Sequence, residues 1–262
     1  MTQLRVATIG SGAIARGRHL PAYRGLEDVE IVATVDTDIG RAKSVAEMFN
    51  IPTLYTDYRE MLDCERPDLV SICTPPCFHA EVAIQAFARG AHVICEKPMA
   101  KSAGEGSAMI AAAQKAGRLL TIVFNQRYEP QAQALKGFVD SGRLGEAYFG
   151  RVCYTHPAIP GYSIHHLEQF SGGGALINSA VHSLDLVLWL MSFPKPIAVS
   201  GMTCQKFYKN SAYRVQWANR QDLPDVEDFA VGFVRFQNGV ALQIEADWFS
   251  LANRRGGDVV GT

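Results

Sequence analysis

The first half of the chain alternates short apolar segments with amphipathic ones, and this alternation limits the possible folds more than any other feature of the sequence. Segments rich in β-branched residues predict the strands Leu4–Ile9, Glu30–Val35, Thr53–Tyr55, Leu69–Cys73, His92–Cys95 and Leu119–Phe124. Between them, apolar residues at helical spacing predict helices over 41–49, 81–89 and 108–116. Such alternation predicts a parallel sheet with helices on both faces, and continuous apolar strands fit burial on both sides. We therefore predict a doubly wound α/β domain over residues 1–124.

The second half has a different pattern, in which strands follow one another without helices between them. A helix is predicted over 131–140, a strand over 147–154, and a strongly apolar helix over 175–191. Three strands follow, over 197–207, 229–236 and 240–249, and Asn238-Gly239 between the last two is a strong hairpin signal. We therefore predict an α+β domain with an antiparallel sheet over residues 125–262, in which Val259-Val260 begins a further strand.

The composition excludes several classes of partner. Lys and Arg number 25 against 26 Asp and Glu, so no basic excess is available to neutralise the phosphates of nucleic acids or anionic lipids. No apolar run reaches the ~18–20 residues of a membrane helix, and the N-terminal sequence MTQLRVATIG is typical of a strand rather than a secretory signal. The six cysteines form no CxxC pair, which favours reduced thiols in a cytoplasmic protein.

Metal-dependent and serine-hydrolase chemistry are not expected. His165 and His166 are adjacent and point in different directions, and neither an HxxxH motif nor a Cys/His framework accompanies them. With His156 they are interpreted as part of a polar loop on the substrate side. A G-x-S-x-G nucleophile motif is also missing from the sequence.

The segment Gly10-Ser11-Gly12-Ala13-Ile14-Ala15 directly follows the first predicted strand and opens a helical stretch. In this context Gly10 permits a tight turn, Gly12 lets the backbone approach a pyrophosphate, and the small Ala15 lets helix and strand pack closely. The anion then lies at the helix N-terminus, where unpaired N–H groups and the helix dipole favour negative charge. The segment therefore predicts a dinucleotide site.

Asp36 ends the second predicted strand, 21 residues after Ala15. A carboxylate at this position accepts hydrogen bonds from both ribose hydroxyls of an adenosine. Asp36 and the nearby Asp38 would repel a 2′-phosphate, which favours NAD over NADP, while Arg41 leaves NADP open.

Polar residues in both halves are candidates for the chemistry. Lys97 follows the strand at 92–95 and so lies at the edge of the sheet where ligands bind, although a surface cation at a turn is the alternative. Pro98 restricts Lys97 to an extended conformation. On the apolar helix, one face is predicted to carry Asn178, His182, Asp185 and Trp189, and the opposite face Val181, Leu184, Leu188 and Met191.

The polar face of this helix needs an explanation, because burying polar groups is costly unless they are paired or face water. We interpret the face as lining a wet cleft. Asp185 either orients His182 or caps a neighbouring segment, and the sequence leaves both open.

Taken together, these motifs resemble the glucose–fructose oxidoreductase / inositol dehydrogenase / MocA (Gfo/Idh/MocA) family over essentially the whole chain. The matching segments are 9–15, 73–76 with His79, 92–100, 172–176 with His182 and Asp185, and 226–230. The resemblance implies an NAD(P)-dependent dehydrogenase or reductase acting on CH–OH groups of a sugar, cyclitol or related polyol. It also implies a Rossmann domain and a second domain with an open, mainly antiparallel sheet, which relatives use for oligomer contacts, so a homo-oligomer (dimer or tetramer) is expected.

The resemblance also implies roles for individual residues. Lys97 would contact the reacting hydroxyl and the nicotinamide ribose, and His182, from the other domain, would be the general acid–base. Asn178 replaces an Asp that is common in the family; it forms hydrogen bonds but holds no charge, which leaves open a different substrate, a shifted pH optimum or an altered reaction. The expected cofactor contacts are Gly10, Gly12, Ala13, Ile14, Asp36, Thr37, Thr74, Pro75, His79, Glu96, Lys97 and Asn125. The expected substrate contacts are Lys97, Arg127, Tyr154, His165, Asn178 and His182.

Two further expectations follow from the resemblance. Family members usually continue for several tens of residues, so we expect a C-terminally shortened chain that lacks part of the substrate wall. Two other functions remain open: NAD-assisted cleavage of glycosidic bonds without net redox change, and a non-catalytic protein that binds a dinucleotide as a signal.

Overall fold

The computed structural model describes residues 3–156, 164–207, 224–250 and 253–262, except for the side chain of His165. The chain divides into two units, Met1–Val123 and Phe124–Thr262. Each unit contains one sheet and its own apolar cores.

The first unit is built on a six-stranded parallel sheet. Its strands are β1 Leu4–Ile9, β2 Val29–Val35, β3 Thr53–Tyr55, β4 Leu69–Ile72, β5 His92–Cys95 and β6 Leu120–Ile122. Their order is β3-β2-β1-β4-β5-β6, so the order reverses between β1 and β4. In doubly wound sheets, ligands bind outside the carboxyl ends of the strands at such a reversal. The predicted doubly wound fold is confirmed.

Helices connect the strands of this unit, and most begin at a capping residue or a proline. They are a π-helix at Ala15–His19, α1 Leu20–Arg24, α2 Ile39–Phe49, α3 Tyr58–Glu65, α4 Pro76–Ala88 and α5 Ala103–Ala116. The side chains of Asp38 and Ser102 accept N–H groups in the first turns of α2 and α5. Side chains from β1, β2, β4 and β5 pack with α3, α4 and α5 to form the main core.

The second unit contains a five-stranded mixed sheet of order β11-β7-β10-β9-β8. Its strands are β7 Ala147–Thr155, β8 Pro196–Cys204, β9 Phe229–Phe236, β10 Ala241–Asp247 and β11 Arg254–Gly261. All neighbouring pairs are antiparallel except β7 and β10. The predicted hairpin joins β9 to β10, with Gly239 at φ +85°. The predicted strand at 259–260 is present as the end of β11.

The helical elements of the second unit depart from the prediction at one place. They are a 3₁₀ turn at Asn125–Tyr128, α6 Pro130–Asp140, a 3₁₀ turn at Ile164–His166, α7 Glu168–Ser171, a π-helix at Ala175–Ala180 and α8 Val181–Leu190. The continuous α-helix predicted over 175–191 is thus wrong for its first six residues, which are π-helical. The carboxylate of Glu227 accepts the N–H groups of Gly174 and Leu176 and anchors this wider start.

One helical stretch in the described part of the chain, Glu168–Leu190, is long and apolar enough to cross a membrane by length and composition. The apolar runs of the sequence do not predict such a stretch. Val187 and the neighbouring Met191 are buried against the sheet of the second unit, and Leu184 and Leu188 pack against the same cluster. This stretch therefore contributes to the core of that unit, as the central helices of many proteins do.

Candidate active site

The turn after β1 fits tightly on one side and is open on the other. Gly10 has φ +96°, and a Cβ built on it would lie 2.6 Å from the carbonyl oxygen of Cys73. At Gly12, by contrast, a Cβ would have no heavy atom within 4 Å. The first N–H groups of a helix lack acceptors within that helix. The turn therefore offers donors and open space for an anionic group, with Ala13 and Ile14 exposed beside it.

The carboxylate of Asp36 ties this turn to the end of β2. Its Oδ2 accepts the N–H of Ser11 at 2.9 Å, and its Oδ1 accepts the N–H of Asp38 at 2.9 Å. The Arg41 guanidinium lies 3.4 Å from both oxygens. Asp36 is buried, whereas Thr37 beside it is exposed. A fixed negative charge thus lies at the edge of the sheet, with a half-exposed arginine close to it.

His79, which is expected to contact the cofactor, lies in a different environment from the one predicted. Its ring is fully buried, with Nδ1 2.8 Å from the carbonyl oxygen of Pro98 and Nε2 2.9 Å from that of Thr74. Burial lowers the pKa of His79, although the two carbonyls act in the opposite direction. A ring without exposed surface cannot contact a cofactor, so His79 instead connects the loop after β4 to the loop after β5.

Thr74 and Pro75, which flank this connection, are half-buried. The Thr74 Oγ1 atom is buried and has no hydrogen-bond partner among the described residues. A buried hydroxyl is usually paired, so this atom is suited to a ligand at the sheet edge.

Glu96 and Lys97 continue directly from β5 at the same edge. The Oε1 of Glu96 lies 2.8 Å from His19 Nε2, and its Oε2 accepts the Lys97 N–H at 3.2 Å. Burial raises the pKa of Glu96, but the hydrogen bond with His19 and nearby positive charge outweigh it, so the pKa is lowered overall. Burial also lowers the pKa of the Lys97 ammonium, against the attraction of Glu96. The Lys97–Pro98 peptide bond is cis.

His19 and its partner Ser71 are both buried at this edge of the sheet, and neither is among the site residues expected from the sequence. His19 Nδ1 and Ser71 Oγ are 2.7 Å apart. The sequence does contain an indication that His19 is buried, because it follows Ala15 by four residues and so shares its helical face. Since Ala15 must face the sheet, a histidine on that face requires polar partners.

In the second unit, Asp185 has a partner that the sequence did not reveal. Its carboxylate accepts two hydrogen bonds from Arg127, one of them from Nε at 2.6 Å. The same guanidinium lies 5.5 Å from the ring centroid of Phe124 and 5.1 Å from that of Phe193. Asp185 is therefore buried and paired with Arg127, so the wet-cleft interpretation is wrong for this residue. Arg127, expected to bind substrate, uses its Nε and one terminal nitrogen for this pair.

The rest of the predicted polar face also meets side chains of its own unit. His182 packs edge-on against Phe124, with ring centroids 6.5 Å apart, and the Lys136 ammonium lies 5.7 Å from the centroid of Trp189. Asn178 is half-buried in the π-helix. The expected apolar face is correct for Leu184, Leu188 and Met191, and Val187, which the prediction left out, is also part of it.

The loop residues expected on the substrate side separate into different environments. His166 is buried and packs against Trp248 at a centroid distance of 5.2 Å. Tyr154 is half-buried beneath the Arg255 guanidinium, 5.6 Å away. Asn125 is exposed. The side chain of His165 and residues 157–163 of the loop lie outside the described residues.

Two motifs of the second unit contact each other. A Cβ on Gly174 would lie 1.9 Å from the carbonyl oxygen of Glu227, so this position requires glycine. Next to it, Asp228 is fully buried and accepts the N–H groups of Lys206 and Phe207. Both motifs therefore serve to anchor the start of the long helix and the segment after β8.

These residues fit a dinucleotide cofactor on the first unit. The turn with the open space at Gly12, the Asp36 carboxylate, the unpartnered Thr74 hydroxyl and the segment Glu96–Lys97 all follow the carboxyl ends of neighbouring strands. Among the described residues, no group of three or more His, Cys, Asp and Glu side chains could hold a metal ion.

Comparisons with known proteins agree with this assignment. Residues 4–124 match an oxidoreductase family with an NAD-binding Rossmann fold, and residues 132–262 match the GFO/IDH/MocA C-terminal domain. D-glucoside 3-dehydrogenase from Escherichia coli (strain K12) is 32% identical over 248 residues, which cover 94% of this chain and 70% of that protein.

Solved structures show the same architecture. GenD2 from gentamicin A biosynthesis, in complex with NAD, gives a TM-score of 0.85 at 25% identity, covering 100% of this chain and 71% of its own. myo-Inositol 2-dehydrogenase from Lactobacillus plantarum gives 0.83 at 25% identity, covering 100% and 75%. The predicted NAD-dependent oxidoreductase is thereby confirmed, and the chain belongs to the GFO/IDH/MocA family of oxidoreductases.

Proposed function

We propose that this chain transfers a hydride between a CH–OH group of a sugar, cyclitol or related polyol and the nicotinamide of NAD. The observation that carries the proposal is the position of Lys97. This half-buried lysine closely follows β5, at the sheet edge that also carries the Gly10 turn and Asp36. A cation next to a dinucleotide site is suited to stabilise an alkoxide oxygen during hydride transfer.

Each residue has a separate task in the proposed reaction. Lys97 donates a hydrogen bond to the substrate oxygen and stabilises the charge that develops there. His182 accepts the hydroxyl proton, while Asn178 donates a hydrogen bond to the substrate. Bound NAD supplies the acceptor for the hydride that leaves carbon. In the reverse direction His182 returns the proton to the carbonyl oxygen.

Names of relatives support the substrate class. D-glucoside 3-dehydrogenase and inositol 2-dehydrogenase, 32% and 29% identical to this chain, carry names of enzymes that oxidise ring hydroxyls. NAD is favoured over NADP because Asp36 and Asp38 bring negative charge to the end of β2, where a 2′-phosphate would lie.

We also propose a homo-oligomer, dimer or tetramer, that forms through the sheet of the second unit in the cytoplasm. Met202 on β8 and Phe233 on β9 are 58% and 45% exposed, which leaves apolar surface on neighbouring strands. The described structure contains no disulfide, and all six cysteines are free. A Phe233→Arg variant should shift the mass measured by light scattering toward the monomer.

A polyol panel tests the catalytic proposal. Purified protein is mixed with NAD and each of a set of glucosides, inositols and anhydrosugars, and NADH absorbance is followed. His182→Ala should lower turnover by about 10²–10⁴ while NAD affinity stays nearly unchanged. Lys97→Met should also lose turnover, whereas the exposed Lys115→Met serves as a matched control with wild-type rates.

Other outcomes favour the remaining functions. Release of sugar from a glycoside without accumulation of NADH would indicate a hydrolase that uses NAD transiently. Tight NAD binding without turnover of any compound would indicate a non-catalytic binding protein. Wild-type turnover in His182→Ala would remove His182 from the proposed role.

A further inference from the structure

His19 lies at the centre of a buried chain of hydrogen bonds behind Lys97. It is the last residue of the π-helix that follows the Gly10 turn, and only 8% of it is exposed. Its Nδ1 lies 2.7 Å from Ser71 Oγ on β4, and its Nε2 lies 2.8 Å from Glu96 Oε1 at the end of β5. One imidazole thus connects three elements of the first unit.

The chemistry of Glu96 determines the direction of one of these hydrogen bonds. Because the pKa of Glu96 is lowered, its carboxylate is ionised at neutral pH and only accepts hydrogen bonds. His19 Nε2 must therefore carry the hydrogen and donate it to Oε1. The other oxygen, Oε2, accepts the backbone N–H of Lys97 at 3.2 Å. Both oxygens are consequently held, one by His19 and one by the residue that carries the ammonium.

Other titratable groups nearby are uncharged at neutral pH. Burial raises the pKa of Tyr23, whose ring meets His19 edge-on at 6.4 Å, and of Cys95. Burial also raises the pKa of Cys73 to about 12. The charge of Glu96 counteracts the effect of burial on the Lys97 ammonium, because its attraction raises the pKa that burial lowers.

We propose that His19 is a positioning residue of this site: by bridging Ser71 and Glu96 it holds the Glu96 carboxylate on the backbone N–H of Lys97 and thereby fixes the position of Lys97. The inference rests on the proposed role of Lys97 in hydride transfer. The inference also connects the dinucleotide turn with Lys97. The π-helix that follows this turn ends at His19, and His19 orients Glu96.

The mechanism of this positioning is steric and electrostatic. A carboxylate with one oxygen released can rotate about its last side-chain torsion, which is broad and has a low barrier. Its charge would then move relative to the ammonium. A displacement of about 1 Å of a reacting group can cost about 10²-fold in rate, while the dinucleotide turn itself is left unchanged.

Two substitutions of nearly equal size separate the hydrogen bond to Glu96 from simple packing. In His19→Gln, the side-chain amide nitrogen replaces Nε2 and can still donate to Glu96. In His19→Asn, the shorter side chain reaches Ser71 but not Glu96. We expect His19→Asn to lower kcat by about 10- to 100-fold with little change in the dissociation constant of NAD. His19→Gln should stay within about threefold of the wild type.

A second readout does not depend on any enzymatic activity. The NAD-free protein is labelled briefly with acetic anhydride at a series of pH values, and modification of Lys97 is quantified by mass spectrometry against exposed Lys115. Glu96→Gln should lower the midpoint of Lys97 labelling, because the attractive charge is lost. His19→Asn should shift the midpoint in the same direction, and His19→Gln should not.

The outcomes are distinguishable. If no polyol is turned over but His19→Asn shifts Lys97 labelling, the positioning is supported and the proposed function fails. Wild-type labelling and wild-type kcat in folded His19→Asn would overturn the positioning. If that variant does not fold, Ser71→Ala takes its place, with a smaller shift in the same direction expected and wild-type behaviour again counting against the inference.

Discussion

The ion pair between Arg127 and Asp185 allows the most direct experimental test of the side-chain contacts in the second unit. The Asp185 side chain is 8% exposed and that of Arg127 is 29% exposed, and two hydrogen bonds join them. Replacing Arg127 with Met keeps an unbranched stem that can pack between Phe124 and Phe193. It leaves the buried carboxylate of Asp185 without its cation.

The expected magnitude follows from burial and hydrogen bonding. Removing one partner of a buried ion pair costs about 3–5 kcal/mol, and partial exposure of Arg127 places this pair at the lower end. We therefore expect Arg127→Met to lower the free energy of unfolding by about 3 kcal/mol. Asp185→Asn, which leaves a partly hydrated guanidinium, should cost about 1–2 kcal/mol. The double variant should cost about 2 kcal/mol, so the coupling energy is about 2–3 kcal/mol.

The three tryptophans make the assay selective. They are Trp189, Trp217 and Trp248, and all belong to the second unit. Tryptophan fluorescence in urea therefore reports unfolding of the unit that contains the pair, whereas guanidinium chloride would screen the charges. A coupling energy within about 0.5 kcal/mol of zero would show that the two side chains do not interact in solution and would return Arg127 to a substrate-binding role.

Further predictions concern the first unit. Gly10→Ala should lower the free energy of unfolding of this unit by about 1–3 kcal/mol in urea, monitored by circular dichroism, because of the positive φ and the contact with Cys73. Gly12→Ala should keep the stability of the unit but weaken NAD binding in a fluorescence titration. Equal stability of the two variants would contradict the geometry of the turn. Asp36→Asn should raise the affinity for NADP relative to NAD by about 5- to 10-fold, since one repulsion is worth about 1 kcal/mol in water; an unchanged ratio would exclude the proposed ribose site. The folded-state pKa of Glu96 lies below its ordinary value of 4.5, so its contribution to stability is present above that value and is lost as pH falls through the lower one. The stability difference between wild type and Glu96→Gln should therefore shrink as the pH falls from 4.5 through the lower folded-state pKa, and a difference that stays constant over that range would contradict the cause given for the shift.

The sheet of the first unit could be predicted because its strands are short, β-branched and buried on both sides, a pattern that requires no knowledge of distant residues. Errors are concentrated at the ends of elements. The helix predicted from residue 81 begins at Pro76. Proline suits the first helical position, where its missing N–H would have no partner, so Pro76 can begin a helix that the apolar pattern predicts only from residue 81. The π-helical start at 175–180 was also missed, because the pattern of apolar residues does not distinguish π from α geometry over so few residues.

Polar residues were harder to interpret than apolar ones. The face that contains His182 and Asp185 was identified from its spacing, but the same spacing fits both a wet cleft and a buried pair. His79 shows the same ambiguity, because its position beside the sheet edge suggests ligand contact while both of its nitrogens face backbone carbonyls. A motif indicates where polar residues lie, whereas their hydrogen bonds depend on segments far away in the sequence.

Both candidate catalytic side chains illustrate this limit, and in the same way. Lys97 is one residue from the buried carboxylate of Glu96, and His182 is one helical turn from that of Asp185. The carboxylates were visible in the local sequence, but their partners, His19 and Arg127, are 77 and 58 residues away along the chain. A buried carboxylate is stable only when it is paired, so its presence beside a candidate catalytic base or cation requires a second polar residue elsewhere. To predict such a site from sequence, one must therefore identify the distant polar partner of the carboxylate, and further residues of the local motif do not supply it.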